Sequence, residues 1–117
     1  SGNLTDIAGR YKFVLKNKEW NYDGQLDLNV NGSDIQGFVR ICIETTVCSR
    51  YSIDKVNEHK RGRFMQASIL KTNKGSSGTQ RIFPKTGSIK VSLSSDTTFI
   101  KGIMFNWAVF EGEKYRH

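Results

Sequence analysis

The residues of this chain best suited to chemistry are hydroxyl, arginine and aromatic side chains that crowd together over positions 45–52. Arginine presents a planar fork that holds a phosphate through two hydrogen bonds. Serine and threonine hydroxyls bond phosphate or sugar oxygens, and aromatic rings stack on nucleobases. This combination predicts binding of an anionic ligand that carries aromatic groups. The candidate ligand-binding residues are Tyr11, Thr45, Thr46, Ser49, Arg50, Tyr51, Arg81 and Trp107.

Constellations for catalysis and metal binding do not occur in the sequence. His59 lies in a charged stretch and His117 is the last residue, so neither has a partner at metal-ligand spacing. There is no nucleophile elbow, P-loop or dinucleotide fingerprint. The glycine- and serine-rich stretch 75–79 leads into a predicted strand rather than a helix and indicates a flexible loop. We therefore expect no enzymatic activity, no catalytic residue, no metal and no cofactor.

The balance of charges is strongly basic. Eighteen Lys and Arg against 11 Asp and Glu give a formal net charge of +7, which favours anionic partners such as nucleotides, nucleic acid or acidic membrane. The basic residues form no aromatic-basic repeat on one solvent face, so DNA and RNA are not expected as partners. A length of 117 residues predicts a single domain over positions 1–117.

The chain has two cysteines, Cys42 and Cys48. They would face each other across a tight hairpin centred on Thr45. Two cysteines are too few for a disulfide framework, and this count favours two reduced thiols in a cytosolic protein.

Apolar and polar residues alternate with a period of two through most of the chain, which is typical of half-buried strands. The alternation predicts a four-strand meander from Gly9 to Val56 and a fifth strand over 64–70. Further strands are predicted over 79–83, around 89–93, and over 99–110 as one long last strand. Residues 52–60 have room for a helical turn. The fold is therefore expected to be all-β, with about eight strands.

Eight short antiparallel strands favour a closed up-and-down barrel of the lipocalin-like kind, because closure removes unpaired strand edges. A β-sandwich is the alternative. Segment 24–37 is echoed by segment 87–102, as if one hairpin were used twice. The echo places Gly37 and Gly102 at equivalent strand positions, where the missing side chain permits the sharp coiling that a small barrel needs.

Four segments carry a resemblance that spans the chain: Gly9-Arg10-Tyr11, the hydroxyl-rich 45–52, the Ser77-Gly78-Thr79 turn, and 99–105. Together they resemble the β-barrel sensor domain of the two-transmembrane effectors of bacterial CBASS antiphage systems, and more loosely lipocalin-like barrels in general. Tyr11 stands where a tryptophan is common in such barrels.

This resemblance implies a domain that binds a cyclic dinucleotide without hydrolysing it and self-associates when loaded. It also implies membrane attachment through N-terminal helices outside positions 1–117, so that the barrel is a cytoplasmic domain of a protein at the bacterial inner membrane. The clustered basic residues by themselves also lead us to expect that a few arginines point into the barrel mouth, where they would hold phosphate. The alternative is a lipocalin-like carrier of a hydrophobic small molecule, although the large residues predicted to face inward indicate a filled interior.

Overall fold

The computed structural model describes residues 7–44, 47–60, 63–73 and 83–115. Within them, eight strands close into an antiparallel barrel in which each strand pairs with the next along the chain and β8 pairs with β1. The strands are β1 (Gly9–Lys16), β2 (Asn21–Asn31), β3 (Asp34–Glu44), β4 (Val47–Lys60), β5 (Phe64–Lys71), β6 (Thr86–Leu93), β7 (Phe99–Met104) and β8 (Ala108–Lys114). The prediction of an all-β, closed, eight-stranded barrel is confirmed, and the sandwich alternative is wrong.

The long last strand predicted over 99–110 is wrong, because a tight turn divides it into β7 and β8. Phe105 and Asn106 both have positive φ angles, of 58° and 63°. The backbone N–H of Trp107 donates to the carbonyl of Met104 at 3.1 Å and closes the turn. Asparagine tolerates this left-handed region well, but a phenylalanine there is unusual, so the turn had no clear signal in the sequence.

Two other predicted elements also differ from the structure. Of the strand predicted over 79–83, Phe83 lies in a bend before β6, and positions 79–82 fall outside the described residues. The helical turn proposed for 52–60 is wrong, since β4 continues to Lys60. The ladder between β4 and β5 shifts register between Ile53 and Lys55 and again between Val56 and Glu58. Each irregularity interrupts the period of two, which explains why the sequence predicted strand only as far as Val56 and left room for a helical turn.

Large apolar side chains fill the barrel. Leu26, Ile41, Met65 and Ile89 are fully buried, and the rings of Phe13 and Phe110 meet with centroids 4.8 Å apart. These residues come from strands on all sides of the barrel. The interior is therefore a packed hydrophobic core, and this packing supplies the main drive for folding.

Glycines let neighbouring strands approach closely at the bends of the barrel. A Cβ atom at Gly37 would lie 2.2 Å from the carbonyl oxygen of Asp27, and one at Gly102 would lie 1.9 Å from that of Lys90. Both carbonyls belong to the residue just before the glycine's own ladder partner, so the two positions are geometrically equivalent as predicted. Gly112, which the sequence echo did not include, makes the same approach at 2.0 Å.

Gly102→Ala should therefore lower the free energy of unfolding by about 1–3 kcal/mol, because the new methyl group collides with backbone that cannot move aside alone. Urea unfolding measures this change. Gly32→Asn is the matched control, since a side chain at Gly32 meets open space and its φ of 64° suits asparagine. Equal stability of Gly102→Ala and the parent chain would contradict the close approach of Gly102 to the carbonyl of Lys90.

Cys42 and Cys48 lie directly opposite each other in the β3–β4 ladder and are joined by a disulfide. The prediction of two reduced thiols is wrong. The sequence already allowed the two cysteines to face each other across a hairpin, and the observed register pairs them directly, with both side chains on the same face of adjacent strands. Disulfides persist mainly in oxidising compartments.

The purified, unreduced protein should accordingly expose no free thiol when it is unfolded in denaturant and assayed with a thiol reagent. The double variant Cys42→Ser, Cys48→Ser should lose about 2 kcal/mol of stability, the loop-closure contribution of a short bridged segment. Two reactive thiols in the unreduced protein would show that the bridge does not form.

Candidate functional site

Most of the described candidate residues lie at one end of the barrel. This end carries the β1–β2, β3–β4, β5–β6 and β7–β8 connections, and we call it the Trp107 end. Ser49, Arg50 and Tyr51 lie near the start of β4, and Trp107 lies in the β7–β8 turn. The other candidates are Tyr11, which lies towards the opposite end, and Thr45, Thr46 and Arg81, which fall outside the described residues.

Tyr11 belongs to the core and is not brought to the other candidates. Its side chain is fully buried, and its hydroxyl donates to the carbonyl of Ile7 at 2.8 Å. The ammonium group of Lys114 lies 5.3 Å from the centre of its ring. These contacts fix the N-terminal approach to β1 against the end of β8, which is a role in barrel closure.

The three candidates on β4 divide between the two faces of the strand. Ser49 and Tyr51 point inward and are fully buried, and the Tyr51 hydroxyl donates to the carbonyl of Pro84 at 2.6 Å. Arg50 is exposed on the outer face, directly opposite Arg40 of β3. The expectation that arginines point into the barrel mouth is therefore wrong for Arg50, because the strand pleat turns it away from its two neighbours.

A series of aromatic rings reaches from the interior to the surface at the Trp107 end. Tyr22 meets Phe83 at 5.1 Å, Phe83 meets Phe105 at 6.2 Å, and Phe105 meets Trp107 at 6.2 Å with the last two rings inclined by only 27°. The ring of Tyr51 packs edge-on against Phe105 at 5.6 Å. Trp107 is 47% exposed, so the outermost ring of the series is accessible for stacking by a ligand.

Lys71 is a component of this end that the sequence analysis missed as a site residue. It is the last residue of β5 and pairs directly with Tyr51 on the inward face. Burial and the nearby charge of Lys85 lower its pKa. The alternation that turns Ala67 and Ile69 inward extends to Lys71, so the sequence did contain a signal that this side chain faces inward. The signal was missed because a lysine beside a polar loop is normally solvent-exposed.

Asn73 fixes the chain where it leaves β5. Its side-chain amide donates to the carbonyl of Cys48 at 2.9 Å and accepts from the backbone N–H of Arg50 at 2.8 Å. The backbone N–H of Thr72 donates to the carbonyl of Arg50 at 2.8 Å. The side chain of Asn73 thus extends the β4–β5 ladder by one step and holds the start of β4 in place.

A groove of about 980 Å³ runs across the outside of the barrel, and none of the described candidate ligand-binding residues lines it. Several of its polar groups already have partners: Lys12 bonds Glu113 at 3.6 Å, and Gln25 accepts from Arg40 at 3.3 Å. Because its charges are mixed and partly paired, the groove favours an anion less than the Trp107 end does.

Among the described residues there is neither a cluster of metal ligands nor a helix suited to span a membrane. The described His, Cys, Asp and Glu side chains form no group of three that could hold a metal ion. Over the same residues, no helix has the length and hydropathy that crossing a membrane requires.

Comparison with known proteins identifies a fold and no family. No protein-family model matches the chain, and no curated protein matches it. Among solved structures, the chain is similar to a redesigned beta barrel, with 13% sequence identity, a TM-score of 0.64, and coverage of 97% of this chain and 94% of that one. At this identity the likeness supports the barrel fold alone.

The environment of Tyr11 predicts a pH dependence. Burial raises its pKa from 10.0 to about 12, so the folded state favours the neutral phenol. The stability that depends on this neutral phenol is complete below pH 10 and is lost as the pH rises through about 12. In a pH titration followed by tyrosinate absorbance, Tyr11→Phe should remove the part of the absorbance increase that occurs near pH 12. If the lost component instead titrates near pH 10, the burial of Tyr11 is contradicted.

Proposed function

We propose that this barrel is the cyclic-dinucleotide-binding sensor domain of a membrane-associated bacterial antiphage effector of the CBASS type. Its ligand would bind at the Trp107 end and would not be hydrolysed. One observation carries the proposal: an accessible tryptophan, stacked on Phe105, lies at the same end as the cations Arg50, Lys71 and Lys85. A cyclic dinucleotide combines two aromatic bases with two phosphodiester charges and needs both kinds of contact.

Each part of such a ligand has a suitable group at this end. A base stacked on Trp107 would contribute roughly 1–3 kcal/mol of binding free energy. Arginine and lysine would hold the phosphates through charge-assisted hydrogen bonds. The net charge of +7 would speed the approach of a dianion and make binding sensitive to salt.

The proposal includes self-association of the loaded domain and attachment to the inner membrane through segments outside positions 1–117. A ligand shifts a population towards an associating state only if it binds that state more tightly. A ligand stacked on Trp107 would meet this condition if it also contacted a second copy, because the associated state would then bind it more tightly. Neither DNA nor RNA is a proposed partner.

A lipocalin-like carrier is the second candidate, and the disulfide is the observation that favours it. The Cys42–Cys48 bridge suits an oxidising compartment, in which carriers of this kind operate, better than the cytoplasm. The packed interior weighs against a carrier, because large side chains such as Leu26, Met65 and Phe110 fill the space that an apolar ligand would occupy. On this balance the sensor remains the preferred proposal.

Calorimetric titration separates the two candidates. The domain is titrated with a panel of cyclic dinucleotides at two salt concentrations, and with a long-chain fatty acid. Saturable binding of a cyclic dinucleotide that weakens in high salt is the expected result. Binding of the fatty acid alone would replace the sensor proposal with the carrier, and binding of neither would overturn both.

Trp107→Ala should weaken cyclic dinucleotide binding by about 1–3 kcal/mol, or roughly 5- to 150-fold in Kd, because it removes the accessible stacking surface. Phe99→Ala is the matched control: Phe99 is 55% exposed and lies at the start of β7, at the opposite end of the barrel. Equal affinity of the two variants would show that the ligand does not stack on Trp107.

A further inference from the structure

Two buried polar atoms have no hydrogen-bond partner among the described residues, and both lie at the Trp107 end. They are the hydroxyl oxygen of Ser49 and the ammonium nitrogen of Lys71. Buried polar groups in folded proteins are almost always hydrogen-bonded, since removing them from water without compensation is unfavourable. Two such atoms at one end of the barrel therefore need an explanation.

The ladder places these two side chains on neighbouring strands of the same inward surface. Lys71 of β5 pairs directly with Tyr51 of β4. Ser49 lies two residues before Tyr51 and therefore on the same face of β4, where it is fully buried. The two side chains thus start from adjacent strands on the same inward surface, at the same end of the barrel.

A second cation adds to the positive charge of this region. The backbone N–H of Lys71 donates to the carbonyl of Lys85 at 2.7 Å. The positive charge of Lys85 repels that of the Lys71 ammonium. Among the described residues, neither lysine forms a salt bridge with a carboxylate. Two cations and a hydroxyl donor without an acidic partner match the requirements of an oxyanion, which supplies negative charge and several acceptor oxygens.

We propose that Ser49 and Lys71, assisted by Lys85, form an oxyanion subsite that takes a phosphate group. Identifying that phosphate as the phosphodiester of a cyclic dinucleotide rests on the proposed function. The subsite assigns separate roles to the two parts of the Trp107 end. The aromatic surface of Trp107 receives a base, and the Ser49 and Lys71 donors at the end of the barrel hold a phosphate of the ligand.

The variants Lys71→Met and Ser49→Ala remove one donor each and keep much of the side-chain volume. Lys71→Met should weaken binding of cyclic diadenylate by about tenfold or more, and Ser49→Ala by a few-fold. Lys55→Met is the control for loss of a positive charge, because Lys55 is an exposed lysine of β4. Lys71→Met should be at least as stable to heat as the parent chain, since it removes a buried unpaired ammonium, and this separates loss of binding from loss of folding.

Inorganic phosphate tests the subsite without the proposed ligand. Observed by NMR with selectively labelled lysine, the side-chain pKa of Lys71 should rise when phosphate is added to the parent chain, because the anion favours the charged ammonium. The side-chain NMR signal of the exposed Lys55 should stay unchanged under the same conditions.

The possible outcomes distinguish the subsite from the function. If cyclic diadenylate or another cyclic dinucleotide binds the parent chain and both variants equally well, the subsite is wrong and the sensor proposal stands. If phosphate raises the Lys71 pKa but no cyclic dinucleotide binds, the subsite stands and the sensor proposal fails. If phosphate leaves Lys71 unchanged and no cyclic dinucleotide binds, both are overturned.

Discussion

Pairing of β8 with β1 is the constraint on which the rest of this structure depends. Eight strands can meet in this way only if the sheet coils sharply, and coiling brings the backbone of one strand to within van der Waals range of the next at Gly37 and Gly102. Once the sheet is closed, each of the eight described strands has a neighbour on both sides, and their inward side chains share one core. The interior can then be reached only from the ends of the barrel, which is why the candidate site lies at an end.

The Trp107 end combines features that a purely structural barrel end does not need. Its aromatic series closes the core from Tyr22 to Phe105, and this part of the arrangement is explained by packing. The buried atoms of Ser49 and Lys71, which have no partner among the described residues, are not explained in that way, because burial without a hydrogen bond is unfavourable for folding, and Trp107 adds an accessible ring beside them. A ligand with an aromatic part and an anionic part would contact all three.

Much of this architecture could be predicted from the sequence, and the failures share a physical cause. Alternation with a period of two identified the strands and their inward faces, because burial on one side of a sheet directly imposes that period. The turn at Phe105 and the disulfide depend instead on backbone conformation and strand register, which composition does not determine. Prediction of the candidate site was limited in the same way. Ser49 and Tyr51 are close in sequence and were identified together, whereas Lys71 becomes their neighbour only through the β4–β5 ladder.

The chain contains two tryptophans, Trp20 and Trp107, so its indole N–H groups give two separate NMR signals that report on the central claim directly. The claim is that an anionic, aromatic ligand binds at the Trp107 end. In a titration with a cyclic dinucleotide, the account predicts saturable shifts of the Trp107 indole and of the backbone amides of Ser49 and Lys71, with the amides around Tyr11 unchanged. Shifts confined to the outer groove around Lys12, or no saturable shift at all, would contradict it.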